Sequence, residues 1–272
     1  GIAGGHRGRA SRAALPYRAG RDERIAAGHA ERMCHSSDSR PPAPPIQGEV
    51  ASHEQIELTA ADGNTFTAYR AEPAEPNGRS VVILPDVRGL HPFYRDLAVR
   101  FAEAGFSTIA IDYFGRTAGR GDRGDDFDHM AHVKQLQTGQ IRADALAATQ
   151  ALDGPVFTVG FCMGGAHSWR QAAEGSNGLA GGIGFYGALR AIEPPSEGPG
   201  APILLLRGGA DTASTPEEFD AYTAALDRVG TEHESHIYEG APHSFFDRSY
   251  GEWAEACQDA WRRILSFTER HS

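Results

Sequence analysis

Val156-Phe157-Thr158-Val159-Gly160-Phe161-Cys162-Met163-Gly164-Gly165 is the stretch that decides how this chain is read. Residues 156–161 make a short apolar run of the length of a buried strand, and residues 163–174 read as a helix. Only Cys162 is left for the turn between them. A nucleophile on so tight a strand-to-helix turn needs small neighbours, because the backbone there is strained and closely packed. It also gains from the helix N-terminus, whose partial positive charge favours a thiolate and an oxyanion. The alternative for the same residues is a buried structural cysteine in a Gly-rich turn; the strand–turn–helix context favours the chemical reading.

Outward from that turn the pattern repeats. Towards the C-terminus come strands at 179–186 and 203–206, a helix at 216–229, a strand at 233–238 and a helix at 252–269. Thr215 precedes Pro216 as a natural N-cap with proline at the first helical position. Towards the N-terminus, residues 128–152 read as one long helix or two, and 115–128 as a Gly- and Asp-rich excursion. Further back lie a strand at 108–113, a helix at 91–105 and a buried strand at 81–84. Residues 55–60 and 65–71 alternate as strands around the hairpin turn Asp62-Gly63-Asn64. Strands alternating with helices imply an α/β fold with a mostly parallel sheet covered on both faces.

A nucleophile requires a base and a group to orient that base. Asp211 follows the strand at 203–206 in Leu206-Arg207-Gly208-Gly209-Ala210-Asp211. His243 follows the strand at 233–238 in Gly240-Ala241-Pro242-His243-Ser244-Phe245. Both lie past the C-terminal ends of strands, where such sheets build their sites. The order nucleophile, acid, histidine is the one doubly wound hydrolases use. Asp211 has an alternative role as a helix cap, but Thr215 is better placed for it. The pairs His129/His132 and His233/His236 lack a third ligand at a recognisable spacing, so no metal is expected. Cys34 lies in the N-terminal tail, and Cys257 falls on the buried side of a helix with Trp253, Trp261 and Ile264; both read as non-catalytic.

Composition sets the bounds. The chain has 272 residues, 40% hydrophobic and 23% charged, which suits one large α/β domain. Net charge is −10. Residues 1–32 hold seven Arg against Asp22, Glu23 and Glu31, about +4, so the remainder carries about −14. An acidic body with Lys134 as its only lysine is a poor partner for nucleic acid. No apolar run approaches the roughly 20 residues that cross a bilayer, and no secretory apolar core is visible. Three unspaced cysteines point to a reducing cytoplasm. Residues 1–50, with Pro41-Pro42-Ala43-Pro44-Pro45, read as a disordered or loosely packed extension ending in a stiff spacer. Met33 is a candidate start, and the domain proper is expected over 51–272.

With these residues in view, the chain resembles the dienelactone hydrolase family (carboxymethylenebutenolidases) across residues 56–267. The resemblance rests on the Cys162 turn, the Asp211 stretch and His243-Ser244-Phe245. It is supported by Pro85-Asp86-Val87-Arg88-Gly89 and Asp112-Tyr113-Phe114-Gly115-Arg116. It implies an α/β-hydrolase fold and a Cys162–Asp211–His243 triad that opens a small ester or lactone through an acyl-thioester, without cofactor. It implies an oxyanion hole from the backbone N–H groups of Met163 and Val87. Asp86 stands where the family has a Glu that contacts the resting thiol and helps generate the thiolate; Asp is one methylene shorter. Arg116 matches a carboxylate-binding arginine. A second such arginine is displaced here to Arg248, behind Phe246 and Asp247, and Tyr186 falls where the family lines the pocket with an aromatic. Arg88, Arg116 and Arg248 near the pocket lead to the expectation of a carboxylate-bearing substrate. A general esterase or thioesterase, and a ligand-binding member without turnover, are the competing readings; monomer and dimer are both open.

Overall fold

The computed structural model describes residues 39–175, 177–247 and 250–272. Eight strands form one sheet: β1 (Val50–Thr59), β2 (Thr65–Pro73), β3 (Ser80–Leu84), β4 (Ser107–Ile111), β5 (Val156–Phe161), β6 (Gly181–Phe185), β7 (Ile203–Gly208) and β8 (His233–Tyr238). Their spatial order is β1-β2-β4-β3-β5-β6-β7-β8. The hairpin β1–β2 and the β2–β4 pair are antiparallel; every pair from β4 through β3 to β8 is parallel. Parallel strands need crossovers, and these are α1 (Pro92–Glu103), α2 (Gly115–Ala118), α3 (His129–Val133), α4 (Thr138–Gln150), α5 (Met163–Ala173) and α6 (Pro216–Val229). The C-terminal helix α7 (Ala254–Arg270) follows β8. The α/β fold with a mostly parallel sheet is as expected from the alternation.

Local chemistry explains the boundaries. α1 begins at Pro92 because proline suits the first helical position, and the His91 ring accepts from the Phe93 N–H. The 128–152 stretch is two helices, α3 and α4. α6 carries a full capping box, with Thr215 and Glu218 bonded reciprocally. β3, β5, β6 and β7 are buried along their whole length, since helices cover both faces.

One expectation is corrected for residues 39–45. The proline-rich stretch is packed rather than loose: Pro41, Pro42 and Pro44 are buried. The Trp261 indole N–H donates to the Pro42 carbonyl at 3.1 Å, and the Gln258 amide to that of Ala43. A fully buried indole on the amphipathic face of α7 needs an acceptor, and the chain before β1 supplies it. The remainder of the expected extension, residues 1–38, lies outside the described residues, as do Met33 and Cys34.

The register brings the sheet's C-terminal ends into line. Phe161 pairs with Phe185, and Phe185 with Leu206. The loops after β3, β5, β6, β7 and β8 therefore open on the same end, and the candidate site is there.

Candidate active site

Cys162 is the only residue between β5 and α5, and it has φ 53° and ψ −113°. Such a conformation costs a non-glycine residue on the order of 1–3 kcal/mol, which the surroundings must offset. They do so by close packing. A Cβ on Gly160 would meet the Gly164 carbonyl oxygen at 2.0 Å, and one on Gly164 would meet the Leu84 carbonyl oxygen at 1.9 Å. Both positions in the G-x-C-x-G pattern are thus closed to any side chain. The Cys162 N–H donates to the Phe185 carbonyl at 3.0 Å, extending the ladder one residue into the turn. The sulfur-bearing residue is half-buried.

Asp211 and His243 come together from the loops after β7 and β8. The Gly209 and Ala210 N–H groups donate to the carbonyls of Tyr238 and Ala241, tying the two loops side by side. His243 Nδ1 then lies 3.0 Å from each carboxylate oxygen of Asp211, and Oδ1 also accepts from the Ala213 N–H at 2.8 Å. Both residues are 9% exposed. The Phe245 and Phe246 rings anchor the histidine loop: Phe246 stands 4.6 Å from Phe185, and Phe245 stands 4.8 Å from Tyr238. Burying each such ring contributes roughly 1.5–3 kcal/mol, which holds the loop although Ser244 has φ 61°.

With Nδ1 committed to Asp211, Nε2 is the outward nitrogen. It is buried and has no hydrogen-bond partner among the described residues. Burial alone would pull the imidazole pKa down. The charge of Cys162, together with the hydrogen bond that Nδ1–H donates to Asp211, outweighs it and pushes the value up to about 10. The ring is thus favoured in its protonated form beside Cys162.

Met163 opens α5, and Val87 lies in the loop after β3. The contact of Gly164 with Leu84 and Pro85 brings that loop against the first turn of α5. Both Met163 and Val87 pack on the same apolar cluster. Their N–H groups are thus carried by neighbouring backbone segments beside Cys162.

The residues flanking Val87 form a buried ion pair. Arg88 Nη2 is 2.6 Å from Asp86 Oδ2, Nε is 3.0 Å from both oxygens, and the Arg88 N–H donates to Oδ1 at 2.9 Å. Burial would lower the Arg88 pKa, but Asp86 holds the guanidinium charged. Arg116, which the resemblance matches to a carboxylate-binding arginine, has its guanidinium against Asp62 on the hairpin and Asp144 on α4, each at 2.8 Å. Tyr186 follows β6 with φ 39°, its ring centroid 4.8 Å from that of His243. Its hydroxyl donates to Asp247 Oδ2 at 3.2 Å. Arg248 lies outside the described residues.

Sequence reasoning missed three residues of this group. Asp247 was noted only as something displacing an arginine; an acid following two aromatic residues in a buried turn was the available signal. Tyr113 donates its hydroxyl to the Pro85 carbonyl at 2.8 Å and is fully buried, and Tyr94 lies under the Arg88 guanidinium at 5.8 Å. Nothing in the spacing of either tyrosine marks it. Of the histidine pairs, His132 stacks on Phe127 at 5.0 Å and His236 packs edge-on to Tyr238. Among the described residues no group of three or more His, Cys, Asp or Glu is placed to hold a metal ion. No helix among them is long and apolar enough to cross a membrane.

A doubly wound sheet with a cysteine elbow and an Asp–His pair on the following loops defines the chain as an α/β hydrolase. The dienelactone hydrolase family model matches residues 66–272. The chain belongs to that family, and with it to the hydrolases of ester and lactone bonds. A carboxymethylenebutenolidase of Rhodococcus opacus is 30% identical over 256 residues, covering 88% of this chain and 97% of the relative. Among solved structures, a dienelactone hydrolase-like promiscuous phosphotriesterase from metagenomic libraries superposes with a TM-score of 0.62. It is 21% identical and covers 81% of this chain and 99% of its own. Brefeldin A esterase, a bacterial homologue of human hormone-sensitive lipase, gives 0.67 at 15% identity, covering 95% and 89%. At such identities these two likenesses speak for the fold.

Proposed function

We propose that the protein hydrolyses a small ester or lactone, dienelactone-like in its reacting group, with Cys162 as nucleophile. The observation that carries this reading is the pairing of His243 with Asp211, Nδ1 being 3.0 Å from both carboxylate oxygens. It leaves Nε2 free of other partners among the described residues, at the end of the sheet that carries the strand-to-helix turn. The thiolate attacks the carbonyl carbon, and the N–H groups of Met163 and Val87 receive the oxyanion. As the tetrahedral adduct collapses, the carbon–oxygen bond breaks and Nε2 of His243 gives its proton to the leaving oxygen. A lactone opens with its alcohol end still tethered; an ester releases the alcohol. His243, now neutral, takes a proton from water, which attacks the acyl-thioester and frees the acid. Asp211 keeps the ring in the tautomer and orientation that both steps need. Tyr186 covers one side of the imidazole.

Relatives named as carboxymethylenebutenolidases support the lactone as substrate type, while the sheet and triad alone would serve any small ester. The test is peptide mapping during turnover of p-nitrophenyl acetate, together with opening of a cis-dienelactone. An acetyl group on the peptide containing Cys162, together with dienelactone opening, is the expected result. Acylation elsewhere, for instance at Cys257, would contradict the assignment.

A further inference from the structure

The loop after β3 carries Val87, and its backbone is pinned bond by bond. The Arg88 N–H donates to Asp86 Oδ1, the Gly89 N–H to the Asp86 carbonyl at 3.2 Å, and the His91 N–H to the Gly89 carbonyl at 2.7 Å. The Leu90 N–H reaches out of the loop, to Asp112 Oδ1 at 3.3 Å. From Val87 to His91, only the Val87 N–H lacks an acceptor among the described residues. Gly89 has φ 69°, and a Cβ there would stand 2.5 Å from the same Asp112 oxygen. The middle of the loop therefore rests on Asp112.

Asp112 directly follows β4 and is fully buried, and its partner Arg123 is buried as well. Arg123 Nη2 is 2.9 Å and Nε 3.1 Å from Asp112 Oδ2, the oxygen that Leu90 does not use. The guanidinium is itself fixed: it donates to the Gly119 carbonyl and lies over the Phe127 ring at 4.6 Å. Arg123 belongs to the segment between α2 and α3, which reads from the sequence only as an irregular excursion. Two further contacts hold that segment to the start of α1: Asp125 to His91 Nε2 at 3.0 Å, and Asp122 to Arg95 at 2.7 Å. Both acids are exposed, so these contacts contribute little. The buried pair is different. Desolvating two charges offsets most of their attraction, so the pair is a weak source of stability. What it supplies is place. A carboxylate gripped by two nitrogens on one oxygen holds its other oxygen where the Leu90 N–H and the Gly89 turn need it.

We infer that Asp112, gripped by Arg123, is a positioning residue for the oxyanion: through Leu90 and Gly89 it fixes the loop that presents the Val87 N–H to the carbonyl oxygen. The inference rests on the hydrolytic reading above and deepens its oxyanion step. Neither side chain takes part in bond making; the effect passes through the backbone. A displaced donor weakens the bond made in the transition state more than it weakens binding of the ground state.

The test sets two reactions of Cys162 side by side in the full chain. Hydrolysis of p-nitrophenyl acetate passes through an oxyanion. Alkylation by iodoacetamide does not: the sulfur bonds to carbon as the carbon–iodine bond breaks and iodide leaves. In Asp112→Asn, kcat is expected to fall about tenfold or more, with KM within about threefold of wild type. Alkylation of the peptide containing Cys162 is expected to stay within about twofold, since it uses no donor of the hole. Should Asp112→Asn not fold, Asp112→Asn combined with Arg123→Met removes both charges at once, which buried pairs tolerate, and carries the same expectation. Hydrolysis and alkylation falling together would mean a merely structural role and overturn the inference. Unchanged hydrolysis, or a loss confined to KM, would overturn it as well. In wild type, alkylation of Cys162 without any ester hydrolysis would overturn the hydrolytic reading, and the inference with it.

Discussion

His243 and Asp211 are joined by a two-way contact, Nδ1 being 3.0 Å from each carboxylate oxygen, although they lie on different loops 32 residues apart. The contact fixes which imidazole nitrogen faces Cys162, and the chemistry follows from that orientation.

Asp211→Asn keeps the shape but removes the charge that orients and stabilises the imidazolium. Ester hydrolysis is expected to fall on the order of 10³-fold, mostly in kcat. Steady-state kinetics check this, with circular dichroism to show an intact fold. A loss below about threefold would remove Asp211 from the triad.

The pH behaviour of His243 has a definite sign. Its folded value of about 10 stands above the ordinary 6.5, so the protonated ring contributes stability that is complete below about pH 6.5. That contribution is lost as the pH rises through about 10. Imidazole resonances in NMR should therefore titrate well above the ordinary range in wild type. In Cys162→Ala, which removes the largest raising cause, the titration should move down. Ordinary values in both proteins would contradict the ion pair.

Gly164→Ala tests the elbow. Its new methyl would stand 1.9 Å from the Leu84 carbonyl oxygen, which is backbone and cannot swing aside. Destabilisation of about 1–3 kcal/mol or more is expected in urea titrations. Hydrolysis should fall as well, because any relief displaces Met163. A variant with wild-type stability would show that α5 does not sit as described.

Much of this was legible in the sequence, for physical reasons. Buried parallel strands announce themselves as apolar runs, and β3, β5 and β7 did so. Proline at the start of α1 and the Thr215–Pro216 step marked helix entries. The Cys162 turn was visible because only glycines fit beside it. Long-range charge matching was not visible: nothing near Arg116 in the chain shows that Asp62 and Asp144 close on it from a hairpin and from α4. The pairing of Arg88 with Asp86, two residues away, was equally hidden, because both were assigned to substrate and thiol. The docking of residues 41–44 depends on Trp261 more than 200 residues later, which periodicity cannot reveal. Arg248 was named from the sequence and lies outside the described residues.

Cys162→Ala measured against wild type for kcat/KM on p-nitrophenyl acetate, at equal protein concentration, is the most direct test of the catalytic assignment. The geometry predicts a loss of at least about 10³-fold, with thermal unfolding close to that of wild type. A variant that hydrolyses the ester at a rate near wild type would show that the nucleophile is elsewhere and that the elbow cysteine is structural.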